Sequence, residues 1–371
     1  MAEHVLVTGG AGFIGSFLVD ALVERGHRVR ILDSLEEQVH GGARPDYLNP
    51  HAEFIEGSVL DPAAVARAMD GVDVVFHQAA IVGVGQSMYE IRRYCEGNTL
   101  GAATVLEALM ERRDRVRKVV VASSMSIYGE GAYIGAEGRM EAPRLRPRDA
   151  LRRGEWEPTD EGGRPLEPMP TPEHKPLQPT SVYAVTKRDH EELFLSVGHA
   201  YGIPTVALRY FNVYGARQAL SNPYTGVGAI FSSRYLNGRP PVIFEDGAQT
   251  RDFVHVSDIV QANLRAMEGD GADHQAVNVG TGRATSVARL AGLIARELGM
   301  EEIEPEITGE FREGDIRHCY ADIGKARNLL GYEPRVALEA GVAQLVEWVR
   351  TQRAEDRFDA ARAELSEKGL A

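Results

Sequence analysis

The chain has 371 residues, 43% hydrophobic and 26% charged, with a net charge of −13. That composition is globular and long enough for a large core shared by two lobes. Its acidic balance argues against nucleic acid or an anionic membrane as a partner, since either wants a basic face. Two cysteines, Cys95 and Cys319, are too few for a disulfide framework or a cysteine-based zinc site. No apolar run approaches a membrane span, and a first strand starting near Met1 leaves no room for a signal peptide. The expectation is a cytoplasmic protein.

His4-Val5-Leu6-Val7-Thr8 reads as a buried strand. Gly9-Gly10-Ala11-Gly12-Phe13-Ile14-Gly15 follows, then an amphipathic helix to about Gly26 and a second strand, Val29-Arg30-Ile31-Leu32-Asp33. Strand, glycine turn, helix and strand in this order are the setting of a dinucleotide site. Gly9 makes the tight turn, Gly12 lets the backbone approach a pyrophosphate, and Gly15 lets helix and strand pack closely. The spacing is G-x-x-G-x-x-G, which departs from G-x-G-x-x-G. The helix N-terminus offers free N–H groups to phosphate. Asp33, ending the second strand, can bind both adenosine ribose hydroxyls and would repel a 2′-phosphate, which favours NAD over NADP. The plainer alternative is a bare glycine turn with Asp33 as a helix cap.

Further alternation follows: a strand at Glu53–Glu56, a helix from about Pro62, and a strand Val72–His77 running into Gln78-Ala79-Ala80. A helix from Asn98 to about Arg113 precedes the apolar strand Lys118–Ala122, with Ser123-Ser124 behind it. Apolar strands of this kind fit a parallel sheet covered on both faces. His77 reads as a structural strand-end histidine rather than a catalyst. Residues 131–179 hold nine of the eighteen prolines and little periodicity, so they read as an irregular insertion. It is either a passive surface loop or a lid or inter-subunit arm at the substrate mouth.

Tyr183-Ala184-Val185-Thr186-Lys187 opens the next helix, which runs to about Tyr201. Four residues apart, Tyr183 and Lys187 share a helix face. A lysine ammonium there can lower the phenol's pKa and make it a base for a sugar hydroxyl, which Ser124 could also hold. Thr205–Tyr210 is a strand and Phe211–Gly215 a turn. Shorter elements follow: a helix near 228–237, the segments Pro241–Phe244 and Thr250–Val256, and a helix capped by Ser257 running to Glu268. Ala276–Gly280 is a last sheet strand, and helices near 286–298, 323–330 and 337–352 build a smaller lobe. The fold class is α/β: a doubly wound parallel sheet (Rossmann) with a smaller mixed α/β C-terminal substrate lobe. Residues 1–210 and 256–285 form the NAD-binding domain, 211–255 and 286–352 the smaller lobe, and 353–371 a peripheral C-terminal helix.

The chain resembles the extended short-chain dehydrogenase/reductase family, and within it the nucleotide-sugar epimerases. The likeness runs from residue 4 to about 350. It rests on Thr8–Gly15, His77-Gln78-Ala79-Ala80, Ser123–Gly129, Tyr183–Lys187, Arg209–Gly215 and Arg312-Glu313-Gly314-Asp315. The insertion and the run Leu220–Gly226 look most like dTDP-L-rhamnose 4-epimerases, with UDP-galactose 4-epimerases close behind. This resemblance implies NAD-dependent inversion at C4 of a dTDP- or UDP-sugar through a transient 4-keto sugar, and a homodimer through the helices beginning near Asn98 and Tyr183. The alternative there is a monomer whose helices only cover the sheet. Implied for catalysis are Ser124, Tyr183 as acid/base and Lys187. The implied NAD contacts add Phe13, Ile14, Ser58, Val59, Gln78, Ala79, Ala80, Asn98, Ser123, Tyr210, Asn212 and Val213 to the glycines and Asp33. Implied substrate contacts are Val82, Ser126, Asn212, Gly226, Val227, Phe244 against the base, Arg251 and Arg312 on the diphosphate, Asp315 on the ribose, and Cys319. For each arginine a surface ion pair, and for Phe244 simple core packing, is the competing account.

Departures from the family narrow the chemistry. Ser58 stands where an adenine-binding Asp is usual. Met125-Ser126 replaces the Asp-Glu of 4,6-dehydratases, and Ser126 the Glu of decarboxylases, so both reactions are disfavoured. Cys319 is small where UDP-galactose epimerases carry a tyrosine, leaving room for a different sugar. With no cysteine pair in the insertion, no metal is expected. UDP-glucuronate decarboxylation, 4-keto reduction and a non-enzymatic NAD sensor are the rival readings.

Overall fold

Seven strands build the main sheet: β1 (His4–Thr8), β2 (Arg28–Asp33), β3 (Glu53–Glu56), β4 (Val74–His77), β5 (Lys118–Ser124), β6 (Thr205–Tyr210) and β7 (Gln275–Val279). In a computed structural model that describes residues 2–312 and 314–370, they lie in the order β7-β6-β5-β4-β1-β2-β3. Every neighbouring pair is parallel. The central strands bury both faces because their residues alternate between two apolar layers. Val5, Val7, Val74, Phe76 and Val120 join one core, with helices Phe13–Glu24 and Val256–Glu268. Leu6, Val75, Val119 and Val121 join the other, with helices Pro62–Ala68, Gly101–Met110 and Val182–Tyr201. Burying each such side chain stabilises the fold by about 1.5–3 kcal/mol. The doubly wound sheet expected from the sequence is present. Its strand order reverses between β1 and β4, and the carboxyl ends there open the crevice in which such sheets bind ligands.

The second lobe packs helices Val227–Leu236, Val287–Leu298 and Leu338–Val349 on one another. The expected turn at 211–215 contains a strand, Asn212–Tyr214, paired with Phe253–His255. Thr250–Arg251 pairs with His318–Cys319 and with Thr285–Ser286. Two helix starts differ from expectation. The helix expected to be capped by Ser257 begins at Val256, and its cap is His255, whose Nδ1 accepts from the Ser257 N–H at 3.3 Å. The helix expected from Asn98 begins at Ile91 and passes through a π-helical segment, Cys95–Leu100, before Gly101–Met110.

The insertion is more ordered than its prolines suggest. Ala132–Ile134 pairs antiparallel with Met140–Glu141 and Glu167–Met169, and Arg148–Arg152 is helical. It is fastened by a charge cluster around the buried Arg317 and Glu245. The Arg317 guanidinium donates to Glu245 at 3.0 Å, to Asp246 at 2.7 Å and to Glu157 at 2.6 Å. Arg146 reaches Glu245 at 2.7 Å and the Asp315 carbonyl at 3.1 Å. Glu130 accepts the backbone N–H groups of Arg317 and His318, each at 2.8 Å. At the chain end, helix Phe358–Glu367 lies against the second lobe. Arg234 pairs with Asp359 at 2.8 Å and faces the Phe358 ring, and the Tyr224 hydroxyl donates to Glu364 at 3.1 Å.

Candidate active site

At the crevice the glycine loop is held by sterics. Gly9 has φ +69°, and a Cβ there would lie 2.7 Å from the Ala79 backbone at the end of β4. A Cβ on Gly15 would strike the Gly9 carbonyl. No side chain caps the Phe13–Glu24 helix at Gly12, which leaves its first-turn N–H groups for an anion. Asp33 accepts from the Ala11 and Leu35 N–H groups at 3.0 and 2.9 Å, so its carboxylate stands beside the glycine loop. A loop that excludes side chains, next to a carboxylate at the end of β2, fits a dinucleotide.

Tyr183 and Lys187 are both buried on one face of the Val182–Tyr201 helix, as their spacing requires. Ser181 caps that helix by accepting from the Ala184 N–H at 3.1 Å. Ser124 ends β5 opposite Tyr210 and hydrogen-bonds to the Tyr183 phenol. Its Oγ accepts from the Ser126 hydroxyl at 2.9 Å. Burial pushes the Tyr183 phenol up to about 12, with Ser124 acting the other way. The expected influence of Lys187 on the phenol is absent from this arrangement. The lysine ammonium donates to the Ala122 carbonyl and lies 3.2 Å from His190 Nδ1.

Burial lowers Lys187 to about 7, with Glu191 opposing. This shift fixes a sign. From pH 7 up to the ordinary lysine range near 10.5, the unfolded chain holds the proton that the folded one has released. Stability therefore rises with pH across that window. The thermal midpoint of nucleotide-free protein should climb between pH 7 and 9.5, and in Lys187→Met that climb should be smaller. Parallel curves for the two proteins would contradict the burial argument.

Beside this group opens a cleft of about 310 Å3. Ser126, Asn212, Gly226, Val227 and Phe244 line it, and so do Arg251, Arg312 and Asp315. Asn212 Oδ1 is buried with no partner. Arg312 pairs with Asp315 at 2.8 Å and lies over the Phe244 ring at 4.7 Å. Arg251 donates to the carbonyls of Thr250, Arg317 and Ile316 at 2.8, 3.0 and 2.7 Å. Glu313, part of the expected Arg-Glu-Gly-Asp run, lies outside the described residues.

The other expected residues are placed as follows. Cys319 is a correction: its side chain is in the apolar core, 3.8 Å from Thr171 Oγ1, and burial pushes its thiol up to about 12. It does not line the cleft. Asn98 is fully buried, its amide spent on Ile81 and Thr186. Ser123 donates to Glu191 at 2.8 Å, beneath the sheet end. Val59 packs at Gly101, Ser58 accepts from the Leu60 N–H, and Val82 is exposed outside the cleft wall. Gln78 and Tyr210 bond each other and Asn263. His77 is buried against Phe194, with burial lowering it to about 3.

The sequence reading passed over Gln249, whose Oε1 is a buried, unpartnered acceptor in the cleft. It also passed over the C-terminal Phe358, Ala361, Arg362 and Leu365. Gln249 stands two residues from Arg251, a cue available in the sequence; the C-terminal residues carry none. Among the described residues none of 131–179 lines the cleft. The insertion instead braces Glu245 and Asp315 from behind through Arg146.

A model of the NAD dependent epimerase/dehydratase family matches residues 5–150 and 161–280. The chain is 34% identical over 350 residues to a dTDP-L-rhamnose 4-epimerase of Burkholderia thailandensis, covering 94% of this chain and 95% of the relative. It is similar to the crystal structure of Thermotoga maritima UDP-glucose 4-epimerase with UDP-glucose, at TM-score 0.76, 35% identity, and 94% and 99% coverage. It is also similar to Thermus thermophilus UDP-glucose 4-epimerase complexed with NAD, at TM-score 0.73, 30% identity, and 94% and 100% coverage.

Proposed function

The chain belongs to the NAD dependent epimerase/dehydratase family, and from that premise we propose that it inverts C4 of a dTDP- or UDP-linked hexose. The observation that carries this reading is the hydrogen-bonded line Tyr183–Ser124–Ser126, which runs from the buried phenol to the cleft wall. When bound, NAD supplies the reversible two-electron oxidation at C4 and is regenerated each turn. Tyr183 as phenolate takes the proton of the 4-hydroxyl, and returns it once the 4-keto sugar has turned over. Ser124 would hold the reacting oxygen, and Lys187 would hold the nicotinamide ribose of bound NAD. Asp33 takes the adenosine ribose.

Asn212 Oδ1, buried and unpartnered, accepts from the substrate. Arg251 and Arg312 face the diphosphate as planar forks, with Asp315 on the nucleoside ribose and Phe244 against the base. Met125 and Ser126 supply no carboxyl group, which disfavours dehydration and decarboxylation. A homodimer through the helices near Asn98 and Tyr183 is supported by Ile91, Leu100 and Val185. These are large apolar side chains, 52%, 54% and 44% exposed. Free Cys95 and Cys319 accord with a reducing cytoplasm.

The test is an NMR time course without added NAD on dTDP-L-rhamnose, UDP-glucose and UDP-N-acetylglucosamine. Inversion of one of them to a steady ratio of C4 epimers is the expected result. No inversion of any, even with NAD supplied, would overturn the reading.

A further inference from the structure

The Phe358–Glu367 helix brings to the cleft a cation that the mechanism above does not use. Arg362 lines the cleft with Arg251 and Arg312. Its guanidinium carbon lies 5.8 Å from the centre of the Phe244 ring, which Arg312 also faces. Two guanidiniums therefore face one aromatic side chain, and a third, Arg251, lines the same cleft, in a protein whose net charge is −13.

Their internal partners differ. Arg251 is fixed by three main-chain carbonyls, and Arg312 by Asp315. Among the described residues, the acidic partner of Arg362 is Glu310, at 2.5 Å. The Glu310 side chain is 59% exposed, so water screens the pair and little holds Arg362 to it. The helix beneath is docked on both sides of the arginine. Asp359 is held by Arg234 and Glu364 by Tyr224, and Leu365 fits at Gly85, where an added Cβ would lie 3.1 Å from it.

We propose that Arg362 is a third guanidinium of the nucleotide-sugar site: it leaves Glu310 for the substrate diphosphate, and the C-terminal helix forms the outer wall of the cleft. The inference rests on reading the cleft as a nucleoside-diphosphate-sugar site. A diphosphate presents more acceptor oxygens than two forks can saturate, and each further charge-assisted pair adds affinity.

Calorimetric Kd values for UDP and dTDP on the purified enzyme with its bound NAD test this. Arg362→Ala should weaken both nucleotides by about tenfold or more, and should weaken uridine and thymidine by less than about twofold, since neither carries phosphate. Glu310→Gln should bind as well as wild type or more tightly, because it frees the arginine. Unchanged UDP and dTDP binding in Arg362→Ala would overturn the inference and leave the proposed function standing. So would equal weakening in Glu310→Gln, since the pair would then be a brace for the helix. If the wild type bound neither UDP nor dTDP, the reading of the cleft itself would fall, and this inference with it.

Discussion

Tyr183→Phe should lower turnover by about 10²–10⁴-fold, the range spanned by positioned acid–base groups, while NAD remains bound. The separation of effects follows from geometry. The Tyr183 ring is buried and its backbone N–H donates to Ser87 Oγ at 3.0 Å, and Phe preserves both. What disappears is the hydroxyl, and with it the hydrogen bond to Ser124. The glycine loop and Asp33, the proposed dinucleotide cradle, do not touch the phenol in these contacts. NAD content measured after denaturation should therefore match the wild type when C4 inversion is lost. Near wild-type turnover in Tyr183→Phe would remove this tyrosine from the chemistry.

The second large effect concerns stability. Arg317 is buried, and its guanidinium is shared by Glu157, Glu245 and Asp246. Arg317→Ala would leave the buried Glu245 carboxylate with Arg146 alone, beside Phe244. Removing one partner of such a cluster costs about 3–5 kcal/mol. Denaturant unfolding should show a loss of that size, and Arg317→Lys should recover less than half of it, because an ammonium cannot bond three carboxylates as a planar fork does. Glu245 has φ +57°, a conformation that its neighbours must enforce. Nucleotide binding at Phe244 should thus weaken in any Arg317→Ala protein that remains folded. A loss below about 1 kcal/mol, the scale of a surface pair, would contradict the reading of this cluster as buried and coupled.

How far the sequence reached depends on whether the information is local. Strand β1, the glycine loop and β2 are contiguous, and their residue types state which backbone must bend and which must be covered. Tyr183 and Lys187 declare a common face because helix spacing does so. Asn98 and Ser123 sit where the family motifs locate them, yet their side chains turn to Ile81, Thr186 and Glu191. Those partners lie far away in the chain, and motif position says nothing of them. Cys319 failed as a cleft residue for a related reason. Within a two-residue strand paired to Thr250–Arg251, adjacent side chains alternate between faces, and only the packing of the insertion decides which face is core. The small sheet of the insertion was hidden by proline density, and the cleft-facing side of the last helix depends on docking partners at Arg234 and Tyr224.

The strand order also bears on how the chain emerges from a ribosome. Strand β5 ends at Ser124, but β6, which pairs with it, begins only at Thr205, and β7, which pairs with β6, only at Gln275. During vectorial synthesis β1 to β5 can collapse first, leaving one side of β5 as a row of unpaired amides and carbonyls, a surface open to wrong partners. Glu130 is translated early, yet the amides that it accepts belong to Arg317 and His318. Until those residues arrive, that carboxylate must stay hydrated. The nascent protein can therefore set β1 to β5 long before β6 and β7 arrive, and the exposed β5 edge is where a holdase chaperone would have most to protect.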